Sequence, residues 1–434
     1  MTKKEKIVII GAGSLQFGLG SAGSIINSDI LKGSTICLHD INQNNLDLVT
    51  QSCREAIEKK KLDFDLESTN DRVKALKNAT FIINSIEVAP RFELWEQDYN
   101  IPRKYGNKQV MGENGGPGGL FHSLRVIPPI LEICGDIQKI CPNAFFINFS
   151  NPMSRICLSI KRKFPNLRFV GLCHEYYGFQ FHYSKILDTP LNKLDIIAGG
   201  LNHFGVVLSI KYKESGKDAY SDLRKKAPTY LSQIKGFECD VDLVKFILEK
   251  FGYIAYTPDS HYGEYISWAW EKANIEGVRA FYNGYKTITT KAGDRLVKRI
   301  KRGSGSNLVK ADHERAIPII EGILTDSGHQ EPSVNLPNDG VITNIPQDLV
   351  VECPAIVNKN GMEAIKLGEY PKGLAGLLRS QASVQDLVVE AILKKSKEIA
   401  FQALLLDPTI DNASKAEEMF EEMIKINEDY IDLN

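Results

Sequence analysis

Lys6-Ile7-Val8-Ile9-Ile10, followed at once by Gly11-Ala12-Gly13-Ser14-Leu15-Gln16-Phe17-Gly18, commits the start of this chain to a buried strand that turns sharply into a helix. Gly11 permits the tight turn. Gly13 lets bare backbone approach a pyrophosphate, which the unpaired N–H groups and positive dipole end of the next helix would hold. Gln16 stands where the usual fingerprint has its third glycine, so the context must carry the reading. That context is a second strand, Ser34-Thr35-Ile36-Cys37-Leu38-His39, ending in Asp40. An acid there holds the adenosine ribose hydroxyls and favours NAD over NADP, whose extra phosphate it repels. The cofactor-binding residues expected are Gly11, Gly13, Ser14, Leu15 and Asp40, with Asn84 at the carboxyl end of the next strand, Ala79-Thr80-Phe81-Ile82-Ile83-Asn84-Ser85-Ile86. The competing reading is a plain glycine turn, with Asp40 capping the helical stretch Asn42 to Lys61.

The β-α-β rhythm predicts a doubly wound, Rossmann-like α/β sheet. Glu113-Asn114-Gly115-Gly116-Pro117-Gly118-Gly119 can bring bare backbone against a ligand, or serve only as a connector. Leu120 to Cys141 reads as a helix interrupted at Pro128-Pro129. A strand, Arg168-Phe169-Val170-Gly171-Leu172, closes on Cys173-His174-Glu175, which puts metal-ligand types at a carboxyl end. Two more polar turns arrive at the same edge. They are Asn148-Phe149-Ser150-Asn151-Pro152 after Ala144-Phe145-Phe146-Ile147, and Gly200-Leu201-Asn202-His203 after Leu194-Asp195-Ile196-Ile197-Ala198.

A chain of 434 residues with 43% hydrophobic content can bury a large core in two packed domains, and a net charge of −1 argues against a polyanion partner such as nucleic acid. No stretch reaches the ~20 consecutive apolar residues that span a bilayer, so no membrane partner is expected. The eight cysteines form no CxxC pair or disulfide scaffold, which predicts a reducing, cytoplasmic compartment. Ser380 to Leu406 has sustained helical periodicity, Lys415 to Asp429 reads as an amphipathic helix, and Asp339 to Glu352 suggests a short strand pair.

The ordered set Gly11-Ala12-Gly13-Ser14, Pro117-Gly118-Gly119 followed by Arg125, Asn151-Pro152, Cys173-His174-Glu175, Leu201-Asn202-His203, Val334 to Gly340 and Val351-Glu352-Cys353-Pro354-Ala355 resembles glycoside hydrolase family 4 over nearly the whole chain. The resemblance implies a lactate/malate dehydrogenase-like NAD-binding domain (1–195) and a mixed α/β domain for substrate, metal and oligomerisation (196–434). It also implies NAD, a divalent metal, usually Mn(II), on Cys173 and His203, and a homodimer or homotetramer acting on a small carbohydrate. The implied chemistry oxidises C-3 of the sugar transiently, removes the C-2 proton, eliminates the aglycone, adds water and reduces C-3 again.

By itself Cys173 suits a plain buried cysteine, and His203 a satisfied core histidine. Asn151 and Asn202 are expected to bind substrate hydroxyls, though Asn151 also suits the turn before Pro152. His174 is expected to protonate the leaving oxygen or to bind a hydroxyl. The base falls in Thr257-Pro258-Asp259-Ser260-His261-Tyr262-Gly263-Glu264-Tyr265, with Tyr262 preferred, then Asp259; His261 and Tyr265 are further candidates, and the tyrosines also suit packing. Cys173-His174 resembles members that act on non-phosphorylated α-glycosides, and Glu175 resembles the uronidases among them. An α-galacturonide or α-glucuronide is therefore expected, with Arg91, Arg103 or Lys108 for its carboxylate. The alternatives are an α-galactosidase or α-glucosidase of the same family, a lactate/malate-type NAD dehydrogenase, and a non-catalytic NAD-sensing protein.

Overall fold

The computed structural model describes residues 4–236 and 239–434. One sheet runs through the molecule, built from β1 (Lys6–Ile10), β2 (Thr35–His39), β3 (Asp65–Thr69), β4 (Phe81–Asn84), β5 (Phe145–Asn148), β6 (Arg168–Gly171), β7 (Leu194–Leu201), β8 (Phe204–Tyr212), β9 (Gln330–Pro337), β10 (Val350–Asn358) and β11 (Gly361–Ala364). Its spatial order is β3-β2-β1-β4-β5-β6-β9-β10-β7-β8, with β11 against β10. The first six strands are parallel, in the order of a doubly wound nucleotide-binding sheet, and the direction of winding reverses between β1 and β4. The glycine turn after β1 opens onto that switch point, where open α/β sheets bind ligands.

Alternation along β1 explains why both sheet faces are covered. Val8 and Ile10 join the apolar cluster that includes the helix Gly116–Ile140, whereas Ile7 and Ile9 join the one that includes the helix Leu15–Ile26.

The antiparallel half joins the parallel half through one row of residues. Gly171 of β6 pairs with Asn335 of β9, Asn335 with Glu352 of β10, and Glu352 with Gly200 of β7. Cys173 follows the first member of this row and His203 the last, so the sheet register brings together two side chains from separate halves of the sheet.

Three sequence expectations are corrected. The helix at Pro128-Pro129 is continuous from Gly116 to Ile140, so the second half of the glycine-rich segment is its first turn. Burial on nearly every side offsets the roughly 3 kcal/mol that an internal proline costs. The single long helix expected from Ser380 is two helices, Lys372–Lys394 and Lys397–Leu406, parted at Lys395, whose φ is 54°. The strand pair is β9 with β10, and the stretch from Asp339 to Leu349 only connects them. The strand β3 and the helix Arg91–Lys104 were not foreseen. No helix among the described residues is long and apolar enough to cross a membrane.

Candidate active site

Cys173 and His203 meet. The Cys173 Sγ lies 3.2 Å from His203 Nε2, and the two residues are 8% and 1% exposed. A side chain at Gly171 would strike the sulfurs of Met153 and Cys157, so glycine is needed for β6 to deliver Cys173 here. His203 sits at the tip of the β7–β8 hairpin with φ +61°, an unusual conformation for a non-glycine residue. It is held there by Thr257 Oγ1 donating to its carbonyl (3.0 Å) and by Ser154 Oγ accepting from the Asn202 amide (3.2 Å). Burial pushes the thiol up; burial, with His261 and His174 nearby, pushes the imidazole down.

The donor set fits a divalent metal held loosely by the protein. Among the described residues no three His, Cys, Asp or Glu side chains converge as a complete cage. A thiolate and an imidazole alone leave positions for substrate oxygens and water, the open coordination of a catalytic ion. Asn114 Nδ2 stands 3.2 Å from His203 Nδ1, while Asn114 Oδ1 is buried without a partner. The same Nδ2 donates to Glu113 Oε2 (3.2 Å) and Glu264 Oε1 (3.5 Å), so the carboxylates fix which side of this amide faces them.

The nucleotide end fits NAD. Gly11 has φ +87°, and a Cβ there would lie 2.9 Å from the Ser85 carbonyl oxygen. A Cβ on Gly13 would lie 2.7 Å from the Asp40 carboxylate, which accepts the amides of Gly13 (2.7 Å) and Asn42 (2.8 Å). Ser14 caps the helix Leu15–Ile26 without a side-chain hydrogen bond, leaving the first-turn amides beside Leu15 to a ligand. Asn84 is fully buried and braces strand ends, its Nδ2 donating to Asn148 Oδ1 (2.9 Å) and Ser150 Oγ (3.3 Å).

The glycine-rich segment is clamped by Glu264, a contact that the sequence did not suggest. Glu264 Oε2 accepts the amides of Glu113 (2.7 Å), Asn114 (2.7 Å) and Gly115 (3.0 Å). Burial and the Glu113 carboxylate push Glu264 up to about 7, against the pull of these amides and of His261. The folded state then holds this proton more tightly than the unfolded chain, so Glu264 costs stability as pH rises from about 4 to about 7. Urea unfolding of wild type and Glu264→Gln across that window is expected to show wild type losing ground to the variant, by up to about 1.4 kcal/mol per pH unit, with no further change above the window. A pH-independent difference would contradict this.

The two preferred base candidates are placed differently from each other and from Tyr265. Asp259 is fully buried and caps helices, accepting the amides of Leu243 (3.0 Å), Val244 (3.1 Å) and Asn274 (2.9 Å); burial pushes its carboxyl up to about 7. Tyr262 packs against Phe204 at 4.8 Å inside the largest apolar cluster, where burial alone raises its phenol. Tyr265 also sits on Phe204, but it lies close enough to Cys173 for charge there to act on it. Burial, followed by Glu264, holds its phenol well above the usual value, and the Arg155 guanidinium opposes them only in part. Arg155 is itself buried, with Nη1 on Ser123 Oγ at 3.0 Å and Nη2 without a partner.

The exposed His174, next to Cys173 in sequence, has Nε2 3.5 Å from Glu175 Oε1 and Nδ1 4.0 Å from Glu314 Oε1. His261, whose ring centroid lies 4.4 Å from that of His203, has Nε2 3.5 Å from Glu175 Oε1. Burial disfavours its charged form, but Glu175, Glu113 and Glu264 outweigh this and hold it above its usual value. Asn151 is half-buried, its Oδ1 3.3 Å from the Met153 amide. Arg91 is taken up by Tyr285 Oη (2.9 Å), Glu113 (3.3 Å) and Glu87 (3.7 Å). Arg103 and Lys108 lie over the rings of Tyr99 and Trp270, and Arg125 pairs with buried Asp98 rather than with the glycine-rich segment.

The sequence model described as "Family 4 glycosyl hydrolase" matches residues 6–189, and its "C-terminal domain" matches residues 198–410. An α-glucosidase of Erwinia rhapontici is 43% identical, over 96% of this chain and 97% of its own. An α-galacturonidase of Thermoanaerobacterium saccharolyticum is 29% identical, over 98% and 96%. The crystal structure of a 6-phospho-α-glucosidase from gut microorganisms in complex with NAD and Mn2+ superimposes over 100% of both chains, with a TM-score of 0.85 and 24% identity.

Proposed function

The chain belongs to the family 4 glycosyl hydrolases, and from that premise we propose that it cleaves a neutral α-glycoside, an α-glucoside in the first place, with NAD and a divalent metal such as Mn(II). The observation that carries this reading is the converging Cys173–His203 pair at the sheet edge onto which the glycine turn after β1 also opens, in a chain 43% identical to an α-glucosidase. A dehydrogenase of the lactate/malate type would not need that pair.

When bound, NAD supplies a hydride acceptor and donor and the metal a Lewis acid for the sugar's C-2 and C-3 oxygens. Gly11, Gly13, the turn at Ser14-Leu15 and Asp40 would hold the dinucleotide; Cys173 and His203 would hold the metal. Tyr265 replaces Tyr262 and Asp259 as our choice of C-2 base, because it alone of the three has both a cation, Arg155, and Cys173 within electrostatic reach. His174, exposed and flanked by Glu175 and Glu314, would protonate the leaving oxygen. Asn151 would bind a sugar hydroxyl.

The uronide reading takes second place. Glu175 faces His174 and His261, and the three cations that could have met a carboxylate are engaged elsewhere. Nitrophenyl α-glycosides, neutral, uronic and 6-phosphorylated, assayed with NAD and manganese under reducing conditions, are expected to show the neutral α-glucoside cleaved fastest. A uronide or a 6-phosphate cleaved faster would overturn the substrate assignment while leaving the chemistry standing.

We also propose a division into a nucleotide domain (1–195) and a substrate domain (196–434), a homo-oligomeric assembly, and a reducing compartment. All eight cysteines are free thiols, which supports the last.

A further inference from the structure

We infer that His122 is a positioning residue for the glycine-rich segment: it donates one ring N–H to the Glu113 carbonyl and the other to the Glu87 carboxylate, and so holds Asn114 beside His203. The last step rests on the proposed role of His203 as a metal ligand.

His122 lies in the second turn of the helix Gly116–Ile140 and is 8% exposed. Its Nδ1 is 2.8 Å from the Glu113 carbonyl oxygen, and its Nε2 is 3.3 Å from Glu87 Oε1. Both partners only accept. A neutral imidazole carries a single N–H, so one of its nitrogens would turn a lone pair toward an acceptor, whereas the imidazolium donates at both. The surroundings call for the same charge. One small cavity is lined by Glu87, Asp98 and Glu113 and by Arg91, Arg125 and His122, so three carboxylates are balanced only if His122 joins the two guanidiniums as a cation. Burial and Arg125 disfavour that charge, but Glu87, with Glu113 after it, outweighs them and holds His122 above its usual value.

The contact has a task. The peptide unit between Glu113 and Asn114 is held at both ends, its N–H by Glu264 Oε2 (2.7 Å) and its carbonyl by His122. A peptide plane gripped at both ends cannot turn, and the Asn114 that follows it is fixed with it. Asn114 Nδ2 then stands 3.2 Å from His203 Nδ1. The helix makes room for this unit, since a Cβ on Gly119 would lie 2.3 Å from the Asn114 carbonyl carbon. Arg91, 3.7 Å from Glu87 and 3.3 Å from Glu113, ties the two acids together.

The test uses full-length protein carrying isotope-labelled histidine, observed by NMR about one pH unit above the usual histidine value of ~6.5. Wild type is expected to show a ring protonated at both nitrogens that is missing from His122→Gln and becomes neutral in Glu87→Gln. Manganese is then titrated into each protein. His122→Gln, whose amide reaches Glu87 but not back to the Glu113 carbonyl, is expected to bind manganese about tenfold more weakly, the lower end for losing a residue that orients a metal ligand. His122→Asn, whose Nδ2 can take the place of Nδ1, is expected to recover most of that loss, which general damage to the fold would not allow. A neutral His122 in wild type, equal manganese affinity in wild type and His122→Gln, or equal losses in the two His122 variants would overturn the inference and leave the reading of the site standing. A wild type that binds no manganese would overturn His203 as a ligand and the last step of the inference with it.

Discussion

Cys173→Ser is expected to remove turnover, by at least about a thousandfold, while leaving NAD binding intact. A serine hydroxyl is not deprotonated by a soft or borderline ion as a thiol is, so the pair that converges at 3.2 Å would lose one of its two donors. With only His203 left from the protein, the Lewis acid at the sugar's C-2 and C-3 oxygens is lost, a contribution of several kcal/mol, or about three powers of ten in rate. Exhaustive chelation of wild type should do the same, and added manganese should restore wild type but not the variant. NAD affinity by fluorescence titration separates this from misfolding, because the nucleotide turn lies at β1 and the cysteine at the end of β6. Full activity after confirmed metal removal would end the metal assignment.

Tyr265→Phe is expected to lower kcat by about 10²–10⁴-fold, the range for a positioned general base, whereas Tyr262→Phe should stay within a few-fold of wild type. Phenylalanine keeps the packing on Phe204 in both variants, so the comparison isolates the hydroxyl. Only Tyr265 has the Arg155 guanidinium opposing the burial that raises its phenol. Arg155→Met should accordingly move the rising, acid-side limb of the kcat–pH profile to higher pH, because it removes the cation that opposes the upward shift of the phenol. Equal losses in the two tyrosine variants would indicate packing, and a larger loss at Tyr262 would return the base to the residue that the sequence favoured.

The strand-glycine-helix opening could be read directly because its signal is local: apolar run, turn glycines and terminal acid lie within one unit. The two metal candidates were legible because each closes a strand, and in a doubly wound sheet strand ends share an edge. What stayed hidden depends on register across distant segments. Nothing within Pro258 to Tyr265 says that Glu264 receives three amides from a segment some 150 residues earlier. Nor does Val351-Glu352-Cys353 reveal Asn202 as its partner, since that contact follows from β10 pairing with β7. Tyr262 and Tyr265 look alike in sequence and part only when burial and the Arg155 charge are known. Pro128-Pro129 misled because local backbone chemistry was outweighed by packing on both sides of the helix.

The central claim is that the sugar passes through loss of its C-2 proton rather than direct displacement at C-1. Reaction of the holoenzyme in heavy water, with the product sugar examined by NMR, tests it directly. The account predicts deuterium at C-2 of the released sugar, delivered when the solvent-exchanged base returns its proton. Complete turnover with only protium at C-2 would contradict it.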